Sequence, residues 1–168
     1  FTWSECDKGH MDWFIGDGHD RQELERITRL SGVGCGLPGD PQPPLAGLSG
    51  SWFDPSHDGE GFIVEMLNNG QPLVYWFSYG PDGERRWFYG VGEVRDGKLV
   101  FDDLRTTEGG IFGPDYNPVT VSGRSWGALE LDIDCNGGTA SYNSSEDGFG
   151  SGVLNVIRLS TLDGLNCM

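Results

Sequence analysis

Residues 61–94 have the sequence GFIVEMLNNGQPLVYWFSYGPDGERRWFYGVGEV, in which three apolar runs alternate with turn residues. The runs are rich in aromatic and β-branched residues, which favour strands. Asn69-Gly70 and the run Gly80-Pro81-Asp82-Gly83 have the composition of tight hairpin turns. This stretch therefore predicts three consecutive antiparallel strands, at 61–66, 72–79 and 85–94.

The same pattern continues on both sides of this stretch, at a spacing of about ten residues. Trp52 and Phe53 lie in a short apolar run before the turn Asp54-Pro55, and Asp96-Gly97 marks a later hairpin turn. A meander of this kind must close on itself or pack on a second sheet to bury its apolar side. The sequence thus predicts an all-β module of about eight antiparallel strands, closed as a barrel or a sandwich, at residues 48–168. Its other strands are predicted at 51–53, 98–104, 126–134, 139–142 and 153–159.

The start of the chain, from Cys6 to Cys35, is a degenerate copy of its end, from Cys135 to Cys167. Internal repetition of this kind indicates a repeated structural unit. Because the main module already has its own terminal strand pair, we expect the copy to form an extra hairpin at 1–35. The repeated Arg29 and Arg158 are each expected to pair with a carboxylate. The positions that match are Gly9 with Gly138, Trp13 with Tyr142, Arg29-Leu30-Ser31 with Arg158-Leu159-Ser160, and Gly32 with Gly164.

The second half of this N-terminal unit has an ambiguous pattern. Asp20 followed by Glu23 is typical of a helix N-terminus, and Leu24 and Ile27 have helical spacing. The matching end of the chain is rich in β-branched residues, so we predict a strand in both copies. Four prolines between residues 38 and 44 then indicate an extended linker at 36–47, because proline cannot donate to a β-ladder.

The four cysteines fall into two pairs, and each pair brackets one copy of the repeat. This placement favours the disulfides Cys6–Cys35 and Cys135–Cys167 over the two other connectivities and over a metal site. Disulfides require an oxidising compartment, so we expect a secreted, periplasmic or cell-surface protein. A net charge of −15 argues against nucleic acid as a partner, and the sequence predicts no membrane span.

Residues 50–62, GSWFDPSHDGEGF, resemble the opening of a repeat in secreted proteins of gammaproteobacteria, with the pattern G-x-W-[YF]-[DN]-P-x-x-x-G-x-G-F. The family is uncharacterised, so the resemblance implies a bacterial origin, export and repetition, and no activity. Gly50-Ser51-Trp52 alone is also weakly similar to the first strand of avidin-like and lipocalin-like barrels, which implies a closed barrel and no particular ligand. The resemblance to the repeat continues at Val74-Tyr75-Trp76-Phe77, Pro81-Asp82-Gly83, Trp87, Trp126-Gly127, Cys135-Asn136, Gly150-Ser151-Gly152 and 158–167.

Two sets of side chains are candidates for ligand binding. Large aromatic rings could line a cleft that stacks on a sugar or another flat ligand, although such rings belong more often to the core. Oxygen-rich side chains near residues 54–60 could hold Ca²⁺, although a solvated turn is the commoner meaning of such a cluster. His10 and His19 lie among aspartates, but histidines scattered in a loop more often bind no metal. The aromatic set is Trp52, Trp76, Tyr79, Trp87, Tyr89 and Trp126, and the acidic set is Asp54, His57, Asp58 and Glu60.

No residue pattern indicates catalysis, so we expect a non-enzymatic protein without an obligatory cofactor. Residues 123–127, GRSWG, match the G-x-S-x-G nucleophile motif, but that motif requires a strand-to-helix turn in an α/β sheet. The leading hypothesis is an exported module for extracellular assembly or adhesion, whose N-terminal hairpin docks on its own or a neighbouring subunit and could build filaments. Its partner would be a second copy or a cell-surface protein. The alternative is a module that binds a glycan or small ligand, and a glycan-active enzyme is a third hypothesis.

Overall fold

The computed structural model describes residues 1–34, 45–113 and 115–167. These residues form a small N-terminal sheet and a large closed barrel. The strands of the small sheet are β1 (Thr2–Trp3), β2 (Lys8–Ile15) and β3 (Gly18–Glu25). The later strands are β4 (Gly50–Phe53), β5 (Gly61–Met66), β6 (Pro72–Tyr79), β7 (Arg85–Val91), β8 (Glu93–Arg95), β9 (Lys98–Glu108), β10 (Ser122–Ile133), β11 (Gly137–Ser144) and β12 (Ser151–Arg158).

Eight of the later strands form the barrel as an antiparallel up-and-down meander. The order around the barrel is β4, β5, β6, β7, β9, β10, β11 and β12, and the pairing of β12 with β4 closes the sheet. The short strand β8 pairs with β9 beside this circle. Closure removes the free edges that an open sheet would expose. The predicted all-β meander is confirmed, and it closes as a barrel.

Inward-facing side chains fill the barrel. Successive strand residues point to opposite faces, so Val74 and Trp76 of β6 are buried inside while Phe77 is exposed outside. The ring of Trp76 lies 5.1 Å from that of Phe62 and 5.2 Å from that of Trp126, measured between centroids. The largest other members of this core are Trp52, Phe88, Phe101, Leu99, Leu104, Leu129 and Leu131.

One end of the barrel is closed by a floor built around Trp52. Ala46–Leu48 forms a buried 3-10 helix, and the indole N–H of Trp52 donates to the carbonyl oxygen of Leu48 at 3.1 Å. The guanidinium carbon of Arg158 lies 4.4 Å from the centroid of the Trp52 ring. Nη2 of Arg158 donates to the carbonyl oxygen of Gly47 at 2.7 Å. Residues 45–47 of the predicted linker thus pack in the barrel, and 36–44 lie outside the described residues.

The two repeated arginines differ in their partners. Arg29 pairs with the carboxylate of Asp7, as the sequence predicts. Arg158 instead packs on an aromatic ring and bonds a carbonyl, and burial lowers the pKa of its guanidinium. The reason is its position at the end of β12, where it faces the floor of the barrel instead of solvent.

The disulfide prediction is confirmed where the structure describes both cysteines. Cys135 and Cys167 form a disulfide with their Cα atoms 5.5 Å apart. Cys6 is also disulfide-bonded, and Cys35, its predicted partner, lies outside the described residues.

The N-terminal unit forms the predicted extra hairpin, and its second half is a strand. β3 pairs with β2 along its whole length, and the two are joined by the two-residue turn Gly16-Asp17. Gly16 has φ of +58°, the left-handed conformation that a type II′ turn requires at its first central residue. In the C-terminal copy, by contrast, residues 145–150 separate β11 from β12. The N-terminal copy therefore has the same strands with a different register.

Candidate functional site

Three of the six aromatic residues predicted for a cleft lie in the barrel core. Trp52, Trp76 and Trp126 are buried, and Trp76 meets Trp126 edge to face. Large rings at inward strand positions bury the most apolar surface, which explains their place in the core. Trp76 and Trp126 line a cavity of about 150 Å³ together with Tyr79, whereas Trp52 does not border it.

The other three, Tyr79, Trp87 and Tyr89, lie together on the outer face of β6 and β7. Antiparallel pairing places Tyr75 opposite Tyr89, Phe77 opposite Trp87, and Tyr79 opposite Arg85. Phe77, Tyr79 and Trp87 are 46%, 41% and 38% exposed. The outer face of these two strands is thus an aromatic surface in contact with solvent.

Tyr75 and Phe77 also belong to this surface, although the aromatic set predicted from the sequence does not include them. The alternation of the strand groups Tyr75, Phe77 and Tyr79 on one side, but the other side is also apolar, so the pattern does not say which side faces solvent. Part of this surface borders a groove of about 250 Å³, which we call the β6–β7 groove. It is lined by Gly59, Phe77, Ser78, Tyr79, Arg85, Arg86 and Trp87.

One wall of the β6–β7 groove is fixed by an ion-pair network. The two amino groups of Arg86 donate to the carboxylate of Glu146 at 3.1 and 3.3 Å. Arg124 donates to the same carboxylate at 2.8 Å. Shared pairs of this kind restrict the side chain of Arg86. Arg85, on the other side of the strand, forms an ion pair with none of the described residues.

The acidic turn after β4 has a structural role. The carboxylate of buried Asp54 accepts hydrogen bonds from the hydroxyl and the backbone N–H of Ser56, at 2.7 and 2.8 Å, and from the backbone N–H of Asn155 at 2.9 Å. These bonds lower the pKa of Asp54 to about 2. They tie the turn to β12 and occupy both carboxylate oxygens.

The structure brings only His57 close to Asp54, with 3.4 Å between Nδ1 and Oδ2. Asp58 is exposed, and Glu60 is half-buried and borders a cavity of about 150 Å³ together with His57. Across the residues that the structure describes, no three His, Cys, Asp or Glu side chains come together as a metal site. The Ca²⁺ hypothesis therefore finds no support in the described residues.

The two N-terminal histidines lie apart on neighbouring strands. His10 of β2 pairs with Glu23 of β3, whereas His19 pairs with Phe14, near the turn. Phe14, the partner of His19, is four residues from His10 along β2, which corresponds to about 13 Å. One metal ion cannot bridge that distance.

The N-terminal sheet is an exposed ribbon, which we define as β2 and β3. β3 is the outer strand of the sheet, and almost all of its residues are exposed. Trp13 contacts Phe112 of the β9–β10 loop, with 5.4 Å between the ring centroids. The ribbon therefore stands beside the barrel, and no described strand pairs with the outer edge of β3.

The segment after the ribbon anchors the N-terminal unit to its own barrel. The hydroxyl of Thr28 donates to the carboxylate of Glu65 at 2.8 Å. Ser31 is buried, and its backbone N–H donates to the carbonyl oxygen of Met66 at 2.8 Å. The backbone N–H of Asn68 donates to the carbonyl oxygen of Arg29 at 3.1 Å. Residues 28–31 thus fix the root of the ribbon to the end of β5, and the described residues leave the β6–β7 aromatic surface partly exposed.

Comparison with known protein families, curated proteins and solved structures finds no match to this chain. None of the helices in the described residues is long and apolar enough to cross a membrane. The nucleophile-like motif at 123–127 lies inside β10, in extended strand. Function must therefore be inferred from the two exposed features, the ribbon and the β6–β7 groove.

Proposed function

We propose that this chain is an exported, non-enzymatic assembly module that associates through the open edge of β3. The observation that supports this most directly is the exposed ribbon, which residues 28–31 anchor at its root and whose outer strand pairs with no other described strand. An exposed strand edge is a ready template for pairing with another chain. The disulfides and the resemblance to exported repeats support an extracellular setting.

The backbone of β3 determines which residues can bond a second chain. The N–H of Arg26 donates to the carbonyl oxygen of Asp7 at 2.8 Å, so these two residues form a hydrogen-bonded pair. In an antiparallel ladder such pairs alternate with pairs that are not hydrogen-bonded. The N–H and C=O groups of residues 20, 22 and 24 therefore face β2. Those of residues 19, 21, 23 and 25 face outward, along the open edge.

Charge selects one register for a second copy paired antiparallel on this edge. When Arg21 lies opposite Glu23 of the second copy, His19 lies opposite Glu25 of that copy, and twofold symmetry repeats both pairs. Sliding the second copy by two residues in one direction places Arg21 opposite Arg21 of the second copy. Sliding it by two residues in the other direction places Glu23 opposite Glu23 of that copy. Like charges directly opposite each other destabilise a sheet. Only the first register combines full edge overlap with complementary charges.

This register would extend the two ribbons into one continuous sheet with about eight new backbone hydrogen bonds. Arg21 is already oriented for it, because its Nε donates to Asp12 of β2 at 2.8 Å on the same face of the ribbon. A pairing of two identical edges is closed by its twofold axis and ends at a dimer. The proposed assembly is therefore a symmetric dimer, and filaments would need a second contact.

Complementary charge reversals test this proposal by sedimentation velocity over a range of concentrations. We expect Glu23→Lys and Arg21→Glu each to weaken the dimer by about tenfold or more, since two ion pairs per dimer become repulsive. A mixture of the two variants restores both pairs, so it is expected to form a heterodimer. The matched control, Glu93→Lys on β8, is expected to dimerise like the natural chain. A protein that stays monomeric at all concentrations, or variants that do not recover on mixing, would contradict the proposal.

A further inference from the structure

We propose that the β6–β7 groove binds an acidic carbohydrate, with a pyranose ring stacked on Phe77 and Trp87 and its carboxylate paired with Arg85. This site lies on the barrel wall and does not depend on the ribbon. It is therefore a binding activity beyond the proposed assembly, and each can fail without the other.

The stacking surface is built by cross-strand pairing. Phe77 and Trp87 are direct neighbours across β6 and β7, and the Trp87 ring stacks on that of Tyr89 with 5.3 Å between centroids. Contact with Tyr89 restricts the indole, so little rotamer freedom is left to lose on binding. The C–H face of a pyranose ring is apolar and fits such a surface through dispersion contacts.

Arg85 is unusual among the basic residues of this chain. The chain has 11 basic residues against 26 acidic ones, and all 11 lie in the described part. Apart from partly buried Arg158, only Lys8 and Arg85 form no ion pair with a described residue. Of these two, only Arg85 borders an aromatic groove. The eight basic residues that do form ion pairs are Arg21, Arg26, Arg29, Arg86, Arg95, Lys98, Arg105 and Arg124.

Because Arg85 has no ion-pair partner among the described residues of a chain with a net charge of −15, its guanidinium favours a negatively charged ligand. A guanidinium has a planar fork of donors that matches a carboxylate. Polyphosphate ligands such as nucleic acids need several clustered cations, and here Arg86 is already held by Glu146. A carboxylate-bearing sugar needs one cation beside a flat apolar surface, which is what the groove offers.

The size of the groove also suits one sugar ring. Its volume is about 250 Å³, and it is open along the outer face of the strands. The hydroxyl of Tyr79 packs directly on the Cα of Gly59, so the turn before β5 forms an end wall. A longer chain would therefore be held by one ring in the groove, with its neighbours in solvent.

Isothermal titration calorimetry with tetragalacturonate and with neutral maltotetraose tests the proposal on the full chain. We expect tetragalacturonate to bind at least about tenfold more tightly, and Arg85→Gln to remove this preference. Lys8→Gln removes the other unpaired charge and is expected to change nothing. Trp87→Ala is expected to abolish binding of both sugars, and Trp3→Ala, another exposed tryptophan, to preserve it.

Each other result overturns the assignment. Equal affinity for the two sugars would show that the groove does not recognise a carboxylate. Absence of binding would show that the groove is not a carbohydrate site. If Trp87→Ala instead lowers the mass of an oligomer in sedimentation, the aromatic surface is a protein interface. Should Trp87→Ala fail to fold, judged by its far-ultraviolet circular dichroism, Arg85→Gln at the exposed rim still decides the outcome.

Discussion

Replacing Arg158 by methionine is expected to loosen the floor of the barrel. Methionine keeps the apolar stem of the side chain but removes two contacts, the hydrogen bond to Gly47 at 2.7 Å and the stacking over Trp52 at 4.4 Å. The charged hydrogen bond is worth about 1.5 to 3 kcal/mol, and the partly buried cation–π contact about 1 to 2 kcal/mol.

Part of this gain is offset in the natural protein by the cost of burying the charge. Burial lowers the pKa of Arg158, and its Nε is buried without a hydrogen-bond partner. We therefore expect Arg158→Met to lower the free energy of unfolding by about 2 to 3 kcal/mol. For a chain of this size, that corresponds to a fall in Tm of about 8 °C.

Urea unfolding followed by tryptophan fluorescence measures this effect, and a double-mutant cycle with Trp52→Leu assigns it. If the two side chains interact, their combined cost is smaller than the sum of the single costs by about 1 to 2 kcal/mol. Arg105→Met is the control, because its ion pair with Asp103 is exposed and is worth less than about 1 kcal/mol. Additive effects of Arg158→Met and Trp52→Leu would refute the reasoning.

Three further changes probe other parts of the fold. Replacing Cys135 and Cys167 by serine removes a disulfide between residues that are 32 apart in sequence. Chemical denaturation should then show a free energy of unfolding lower by about 3 to 4 kcal/mol. Because the pKa of Asp54 is lowered to about 2, its ionised form stabilises the fold above its ordinary pKa near 4, and this contribution is lost as the pH falls from about 4 to 2. Acid titration of Asp54→Asn should lack that part of the unfolding curve, and an unchanged curve would contradict the assignment. Gly59→Ala should lower the melting temperature more than Gly70→Ala does. Both glycines have a positive φ, of 89° and 84°. Of the two, only Gly59 has a neighbouring side chain, that of Tyr79, which an added Cβ would meet.

The strands of the barrel were predictable because burial and turn chemistry agree in this sequence. β5 and β6 match the predicted segments 61–66 and 72–79, where apolar runs end at hairpin turns. The Asp96-Gly97 turn also lies where it was predicted, with Asp96 at φ of +51°. Such local signals do not depend on which strands meet to close the barrel.

The sequence could not show which aromatic residues face outward. β6 is apolar on both sides, so its alternation separates two faces without saying which one is inside. That choice depends on the closure of the whole sheet, which places Trp76 in the core and Phe77 in solvent. The floor was hidden for a similar reason, because residues 46–48 become buried only when β12 returns beside β4.

The short turn at Gly16 has a consequence for folding. β3 begins 12 residues after Cys6, whereas β12 begins 16 residues after Cys135, so the two copies cannot exchange places without breaking their ladders. An exact duplicate would compete with the true last strands for the gap beside β4, and such competition between repeats is a common route to misassembly. The altered register makes the N-terminal copy a poor substitute. We therefore expect the divergence of the two copies to disfavour closure of the barrel on the wrong strand pair.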